Sequence, residues 1–262
     1  MRPLIPLLLV TMLGTALLGG CASGPKKIPP EHTLYKHAKD ALTVENWKSA
    51  ANQFRSLIST YPFGKYATQA RLNLIYAYYR GGVTDEAAKQ ADDFVKENPA
   101  SPYAAYALFM KGVAYANALQ RGPVDALFGV NLNERDPLDQ EQAFTAFKQL
   151  AKRYPDSRYT KQARQWMVFV RSRLAHFNLS VAHFYLIRKQ WVAAASRANK
   201  IVTEFPGTSA TKPAFKILMQ SYKALGEDAL AAQAKSWYDY NYGSGAKAHA
   251  DQQTASNNNI QH

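Results

Sequence analysis

The sequence predicts an all-α protein built as a helical solenoid of tetratricopeptide type. A two-residue motif that ends in proline occurs four times, each time between two apolar helical stretches. The four motifs are Tyr61-Pro62, Asn98-Pro99, Tyr154-Pro155 and Phe205-Pro206. Proline ends the helix before it and can begin the next one. The chain also lacks the sustained alternation of apolar and polar residues that marks a half-buried strand.

The spacing of the four proline motifs supports a structural repeat. The prolines are 37, 56 and 51 residues apart. The first separation is close to the period of roughly 34 residues that tetratricopeptide repeats show. The other two correspond to one repeat plus an insertion of about 17–22 residues.

Small and aromatic residues recur at fixed distances from each proline. Alanines stand twelve positions before the four prolines, at Ala50, Ala87, Ala143 and Ala194. Eight positions before them stand Phe54, Ala91, Phe147 and Ala198, and fifteen before the first and fourth stand Trp47 and Trp191. Upstream, Gly112-x-x-Tyr115 and Ala182-x-x-Tyr185 place a small residue near a tyrosine. Two helices cross closely only where a side chain is small, so this register predicts packed helix pairs.

The pattern predicts ten helices. They are expected near 31–43, 46–60, 67–80, 84–97, 102–119, 139–153, 159–188, 191–204, 210–225 and 228–241. We expect the seventh to be broken near Phe177-Asn178. The segment from Ala118 to Pro137 is the main irregular insertion and falls within the third helix pair.

The N-terminus predicts a lipid anchor. Residues 1–20 have the positive start and short apolar stretch of a signal peptide, and the stretch is short for a stable membrane span. Leu18-Gly19-Gly20-Cys21 resembles a bacterial lipobox, and Cys21 is the single cysteine. Ala22 and Ser23 lack the aspartate that retains lipoproteins in the inner membrane. We therefore expect a lipidated Cys21 at the periplasmic face of the outer membrane.

The remaining divisions follow from composition. Residues 21–30 form a lipidated tether with three prolines, and the repeat domain spans 31–242. Residues 243–262 are rich in Gly, Ser, Ala, Asn and Gln, which predicts a disordered tail.

The charge restricts the partners. Lys plus Arg number 32 and Asp plus Glu number 19, for a formal net charge of +13. A secreted location argues against nucleic acid, so an acidic protein face or the anionic membrane surface remains. A single cysteine excludes an internal disulfide framework and any multi-cysteine metal site.

Catalytic motifs are missing from the sequence. It contains no HExxH, GxSxG, Walker loop or GxGxxG. His176 and His183 lie two helical turns apart, but without a nearby carboxylate they are better explained as packing or surface residues. We therefore expect neither an enzyme nor a bound metal or cofactor.

A peptide-binding groove is the remaining functional prediction. In repeats of this type the first helix of each pair lines the groove, where aromatic faces and Asn, Lys or Arg side chains can hold an extended peptide. The groove candidates are Lys36, Lys39, Asn73, Tyr76, Tyr79, Arg80, Tyr106 and Phe109. The alternative is that Tyr76 to Tyr79 serve only the core.

Several short sequence motifs resemble those of a known protein family. They are Tyr61-Pro62-Phe63-Gly64-Lys65-Tyr66, Leu74-Ile75-Tyr76-Ala77-Tyr78-Tyr79, Phe128-Gly129-Val130, Arg135-Asp136-Pro137, Arg173-Leu174-Ala175 and Ser180-Val181-Ala182. From about Thr33 to about Tyr240 the chain resembles the BamD family, lipoproteins of the outer-membrane β-barrel assembly machinery. The two motifs within the insertion, Phe128-Gly129-Val130 and Arg135-Asp136-Pro137, are the most specific of these.

The resemblance implies five repeats, the fifth being the helix pair near 210–241. It also implies a periplasmic scaffold that meets BamA through its C-terminal half, unfolded barrel proteins through its N-terminal half, and the other lipoproteins of the machinery. Arg197 falls where the family has a basic contact to the last POTRA domain of BamA.

Two other functions remain open from the sequence. One is a lipid-anchored pilotin that assists secretin assembly, which the Phe128-Gly129-Val130 insertion disfavours. The other is a lytic transglycosylase, which would need a catalytic domain where only a polar tail follows residue 242.

Overall fold

The computed structural model describes residues 28–117 and 137–243, and these ranges contain ten α-helices and no strand. The helices are α1 (Glu31–Thr43), α2 (Trp47–Thr60), α3 (Ala67–Arg80), α4 (Thr84–Glu97), α5 (Ala104–Asn117), α6 (Leu138–Arg153), α7 (Thr160–Ile187), α8 (Trp191–Glu204), α9 (Thr211–Ala224) and α10 (Asp228–Tyr242). The predicted signal peptide and Cys21, the body of the insertion at 118–136 and the tail from 244 lie outside the described residues.

The helices stack as five consecutive pairs. Each helix packs against the next along the chain. The first helices of successive pairs also touch, α3 with α5, α5 with α7 and α7 with α9. The odd-numbered helices therefore form an inner layer and the even-numbered helices an outer one, as in a tetratricopeptide-repeat solenoid. The predicted fold class is confirmed.

The four proline motifs form loops with the same hydrogen-bond pattern. At the first, the backbone N–H of Tyr61 donates to Leu57, that of Gly64 to Tyr61, and that of Ala67 to Gly64. The same three bonds recur at the same spacing from Asn98, Tyr154 and Phe205. Two of these motifs also bond to the segment that precedes their own helix pair. The Tyr61 hydroxyl donates to the Pro29 carbonyl at 3.0 Å, and the Tyr154 hydroxyl donates to the Pro99 carbonyl at 2.8 Å.

The turns inside the pairs also share one design. Three-residue turns join α1 to α2, α3 to α4, α7 to α8 and α9 to α10, and the middle residue of each has a positive φ. These middle residues are Glu45 (57°), Gly82 (73°), Lys189 (56°) and Gly226 (76°). The residue after each donates its N–H five residues back, as in a Schellman cap. Glu45 and Lys189 adopt this left-handed conformation without being glycine.

The predicted register of small residues forms the core. The four alanines and the four residues at the second offset are all fully buried, at 0% exposure. Trp47 and Trp191 each begin the second helix of their pair. Gly112 permits a close approach of α5 to α6, because a Cβ there would lie 2.4 Å from Cε1 of Phe147.

The predicted break in the seventh helix is wrong. α7 runs unbroken over 28 residues. The buried Asn178 side chain donates to the Leu174 carbonyl at 2.8 Å, one turn back in the same helix. This bond satisfies the amide without opening the helix, so a polar residue can occupy the centre of α7. Within residues 28–117 and 137–243, none of the helices combines the length and the apolar composition that a membrane span requires.

Candidate functional site

The inner layer begins with an aromatic stack between α1 and α3. The ring of Tyr35 stacks on that of Tyr66, with centroids 4.6 Å apart and planes at 17°. The Asn73 amide donates to the Tyr35 hydroxyl at 3.3 Å, and its oxygen accepts from the Gln69 amide at 3.2 Å. Gln69 remains exposed. This part of the surface therefore presents amide groups beside an aromatic face.

Arg80 is held in a fixed position at the end of α3. Its guanidinium lies 4.5 Å from the Trp47 ring centroid and donates to the Tyr76 hydroxyl at 2.9 Å. The carboxylate of Glu45 lies 3.6 Å away. The hydrogen bond to Tyr76 and, to a smaller extent, the nearby carboxylate of Glu45 raise the pKa of Arg80. The exposed guanidinium is thus a permanently charged group whose orientation is set before any ligand arrives.

Tyr76 and Tyr79 serve both the core and the surface. Both are half-buried and pack against the main hydrophobic core. The Tyr79 hydroxyl accepts from the Asn117 amide at 2.9 Å. Their rings, 6.4 Å apart, continue the aromatic line along α3. Each can offer a ligand only its exposed part, and each also contributes to stability.

A cleft of about 890 Å³ opens between α3, α5 and the loop that precedes α7. Its walls contain four tyrosines, three prolines and two arginines. They include Tyr103, Tyr106, Tyr154, Tyr159, Pro99, Pro102, Pro155, Arg153 and Arg158, with Gln69 and Leu72 on the α3 side. Each arginine lies over the tyrosine that follows it, Arg153 at 5.5 Å from the Tyr154 centroid and Arg158 at 4.8 Å from that of Tyr159. Asp156 is the acidic residue of the lining.

The half-buried Tyr106 forms one wall of this cleft. Its ring lies 5.6 Å from that of Tyr159. Burial, followed by the nearby Tyr159 and Tyr76, raises the pKa of Tyr106 to about 12. The phenol therefore stays neutral at physiological pH. Gln69 lines the same cleft and bonds to Asn73, so the cleft and the α1–α3 stack form one surface, which we call the inner groove.

The predicted groove residues do not all play the same part. Asn73, Tyr76, Tyr79, Arg80 and Tyr106 lie on the inner layer, grouped as described above. Lys36 and Lys39 are exposed on α1, with Lys39 one turn beyond Tyr35. The candidate Phe109 is wrong as a ligand contact, because it is buried at 8% exposure between Phe147 and Tyr159.

Sequence reasoning missed the partners that complete the groove. These are Tyr35, Trp47, Gln69, Tyr66, Tyr159 and Arg158. Two of them, Tyr66 and Tyr159, could have been found from the repeat itself. Like Tyr103 of the cleft, each follows the proline of a loop motif by four residues. Tyr66 and Tyr159 each stack on an aromatic residue of the preceding first helix.

Arg197 lies at the packed junction of α7 and α8. Its guanidinium donates to the side-chain oxygen of the buried Asn178 at 3.3 Å, and the side chain is partly buried. One turn further on, Lys200 lies 3.9 Å from the carboxylate of Glu204. Arg197 is bound to a neutral amide, and among the described residues no carboxylate forms an ion pair with it.

His176 and His183 have different surroundings on α7. A ring nitrogen of His176 lies 2.8 Å from the Ser209 hydroxyl, and His183 is exposed. Across the described ranges, no group of three or more His, Cys, Asp or Glu side chains could hold a metal ion.

Comparison with known proteins identifies the family. A family model described as "Outer membrane lipoprotein" (YfiO) matches residues 28–237. The outer membrane protein assembly factor BamD of Vibrio cholerae is 35% identical over 217 residues, covering 82% of this chain and 90% of that protein. BamD of Xylella fastidiosa (strain 9a5c) is 33% identical, covering 87% of this chain and 80% of that protein.

A third relative and a solved structure are less similar to this chain. BamD of Neisseria meningitidis serogroup B is 31% identical, with 90% of this chain and 91% of that protein covered. A tetratricopeptide repeat protein from Parabacteroides merdae has a TM-score of 0.32 at 13% identity, covering 78% of this chain and 77% of that one. The family model and the three relatives show that this chain belongs to the YfiO family of outer membrane lipoproteins.

Proposed function

We propose that the chain is a lipid-anchored scaffold of outer-membrane protein assembly, which binds BamA and unfolded β-barrel proteins. The names of its relatives support the assembly role, since each is an outer membrane protein assembly factor. Family membership favours this function over a pilotin or a lytic transglycosylase. Cys21 would carry the anchor, and residues 21–30 would tether the repeats to the periplasmic face of the membrane.

The observation that carries the substrate proposal is the inner groove. It combines an open cleft of about 890 Å³ with tyrosine faces and exposed arginines. An unfolded barrel protein offers an extended C-terminal segment with alternating apolar side chains. The tyrosine faces can accept those side chains, while the amides of Gln69 and Asn73 can hydrogen-bond to the peptide backbone.

The arginines supply the charge complement. A C-terminal carboxylate is best held by a guanidinium, which can donate two parallel hydrogen bonds. Arg80 is pre-oriented by Trp47 and Tyr76, and Arg158 by Tyr159. Pre-orientation lowers the entropy lost on binding. Each arginine is exposed, so binding would be weak and reversible, as suits a substrate that must be passed on.

A peptide titration tests this proposal. A fluorescent peptide copying the C-terminal strand of a barrel protein is titrated with the full chain and with Gln69→Ala, Arg80→Ala and Arg158→Ala. Each change should weaken binding by about 5–30-fold, which corresponds to roughly 1–2 kcal/mol for an interface residue. Arg55→Ala on the outer helix α2 is the matched control and should leave the affinity unchanged.

The same titration locates the carboxylate. The parent chain should bind an amidated peptide more weakly than the peptide with a free carboxylate. In the arginine variant that has already lost the carboxylate contact, amidation should weaken binding little. Equal affinity of all inner-groove variants and the control, with their thermal melts unchanged, would exclude the groove as the substrate site.

The proposed contact to BamA lies at Arg197. Its charge is balanced by no described carboxylate, whereas Lys200 on the same helix is close to Glu204. Arg197→Glu should therefore weaken co-purification with BamA far more than Lys200→Glu does. Because Arg197 also bonds to Asn178, Arg197→Gln is needed as a control that keeps a donor and removes only the charge. Undiminished co-purification of a folded Arg197→Glu protein would exclude this contact.

A further inference from the structure

The end of α7 and the start of α8 carry a surface that neither the groove nor Arg197 uses. Three large apolar side chains there are exposed, Ile187 at 79%, Val192 at 69% and Phe184 at 48%. Arg188 and Lys189 form the turn between them. The Arg188 guanidinium lies 3.6 Å from the Phe184 ring centroid. We call these five residues the α7–α8 tip.

The other turns of the same design show that this composition is not required by the fold. Val44, Val83 and Leu225 also expose an apolar side chain at the equivalent turns. In each of those turns an acidic residue follows within three positions: Glu45, Asp85 or Glu227. Among the four described turns, the α7–α8 tip alone combines exposed apolar groups with two cations and no acid.

The sequence around the tip is basic. No aspartate or glutamate occurs between Asp156 and Glu204, a stretch that contains nine lysines and arginines. Among the described residues, neither Arg188 nor Lys189 forms an ion pair. A cluster of exposed apolar groups beside uncompensated cations is the composition of a segment that enters the headgroup region of an anionic bilayer.

We infer that the α7–α8 tip docks on anionic phospholipid headgroups, as a second membrane contact beside the N-terminal anchor. Phe184, Ile187 and Val192 would enter the interface, and Arg188 and Lys189 would lie at the phosphates. A single turn is too small for a stable protein interface, which buries about 800 Å² on each partner. It suffices for a reversible contact that orients a protein already held at the membrane.

Vesicle binding of the mature chain, residues 21–262, carrying Cys21→Ser tests this inference, because this protein lacks both the apolar signal peptide and the proposed lipid. Flotation is measured with phosphatidylcholine vesicles, with and without phosphatidylglycerol as the anionic component. We expect binding to increase with phosphatidylglycerol and to fall with added salt. Arg188→Glu with Lys189→Glu should reduce binding to the anionic vesicles by about tenfold or more. Ile187→Ser with Val192→Ser should also weaken it.

The matched control changes the net charge equally at a distant place. Lys48→Glu with Arg55→Glu, two exposed positions of α2, should leave anionic binding within about threefold of the parent, since one charge adds little beyond a Debye length. Equal losses in both double variants would mean that only net charge matters, and no loss in either would mean that the tip is not a contact. If the tip reversal spares vesicle binding but abolishes co-purification with a protein partner, the tip docks on an acidic protein face. Each of these three outcomes overturns the inference.

Discussion

Gly112 offers the sharpest test of how the third repeat is packed. Replacing it with alanine would place a Cβ 2.4 Å from Cε1 of Phe147 and 2.7 Å from Cδ1 and Cζ. The ring cannot easily move away, because Phe147 is fully buried, stacks on Trp166 at 6.1 Å and contacts Phe109 at 6.0 Å. Restoring ordinary contact requires a shift of about 1 Å in a closely packed core.

Two opposing effects set the magnitude. Alanine is favoured over glycine inside a helix by about 0.5–1 kcal/mol. Overpacking of a core costs about 1–3 kcal/mol, and the short contacts place this site toward the upper end. We therefore expect a net loss of about 1–2 kcal/mol, which for a domain of this size lowers the Tm by about 2–8 °C.

Thermal and urea melts followed by circular dichroism measure this loss. Ala232→Gly, an exposed position of α10, calibrates the intrinsic difference between glycine and alanine in this protein. In a Phe147→Leu background the cost of Gly112→Ala should disappear, because the ring that clashes is gone. A Gly112→Ala protein that melts at or above the parent would refute the packing argument.

Three further predictions follow from single residues. Lys189→Gly should raise the free energy of unfolding by about 0.5–1 kcal/mol, because glycine adopts the left-handed conformation without strain. Glu45→Gly should raise it less, because that change also removes the contact with Arg80. Chemical denaturation of both variants measures these differences. Tyr154→Phe should cost about 0.5–1.5 kcal/mol through loss of the bond to the Pro99 carbonyl, and an unchanged denaturation midpoint would show that the bond does not stabilise the fold. Because burial raises the pKa of Tyr106 to about 12, the folded state keeps a proton that the unfolded state loses above its ordinary value near 10, so stability should fall as pH rises from about 10 to 12. Tyr106→Phe should make that fall shallower, and identical pH profiles for parent and variant would contradict this assignment.

The repeat architecture could be predicted because it depends on local sequence patterns. Proline fixes where helices end, and the buried alanines at a constant offset mark where they cross. The break predicted at Asn178 failed for a local reason too, since the side chain bonds to the Leu174 carbonyl within the same helix. Propensity alone does not show whether a buried amide finds such a partner.

The groove could be predicted only in part. The position of Asn73, Tyr76 and Arg80 on a first helix follows from the helical period. Their partners come from other elements, as when Tyr35 of α1 bonds to Asn73 or Trp47 of α2 lies against Arg80. These contacts depend on how far one helix is displaced along the next, which the repeat period does not specify. For the same reason Phe109 belongs to the core, although its spacing is compatible with the groove.

Site-specific crosslinking in cells tests the central claim most directly. A photoreactive amino acid is placed at Asn73 and Tyr103 of the inner groove and, as a control, at Arg55 on the outer helix α2. The account predicts adducts with unfolded outer-membrane β-barrel proteins at Asn73 and Tyr103, and none at Arg55. Folded variants that give no adduct at either groove position, or equal adducts at Arg55, would contradict it.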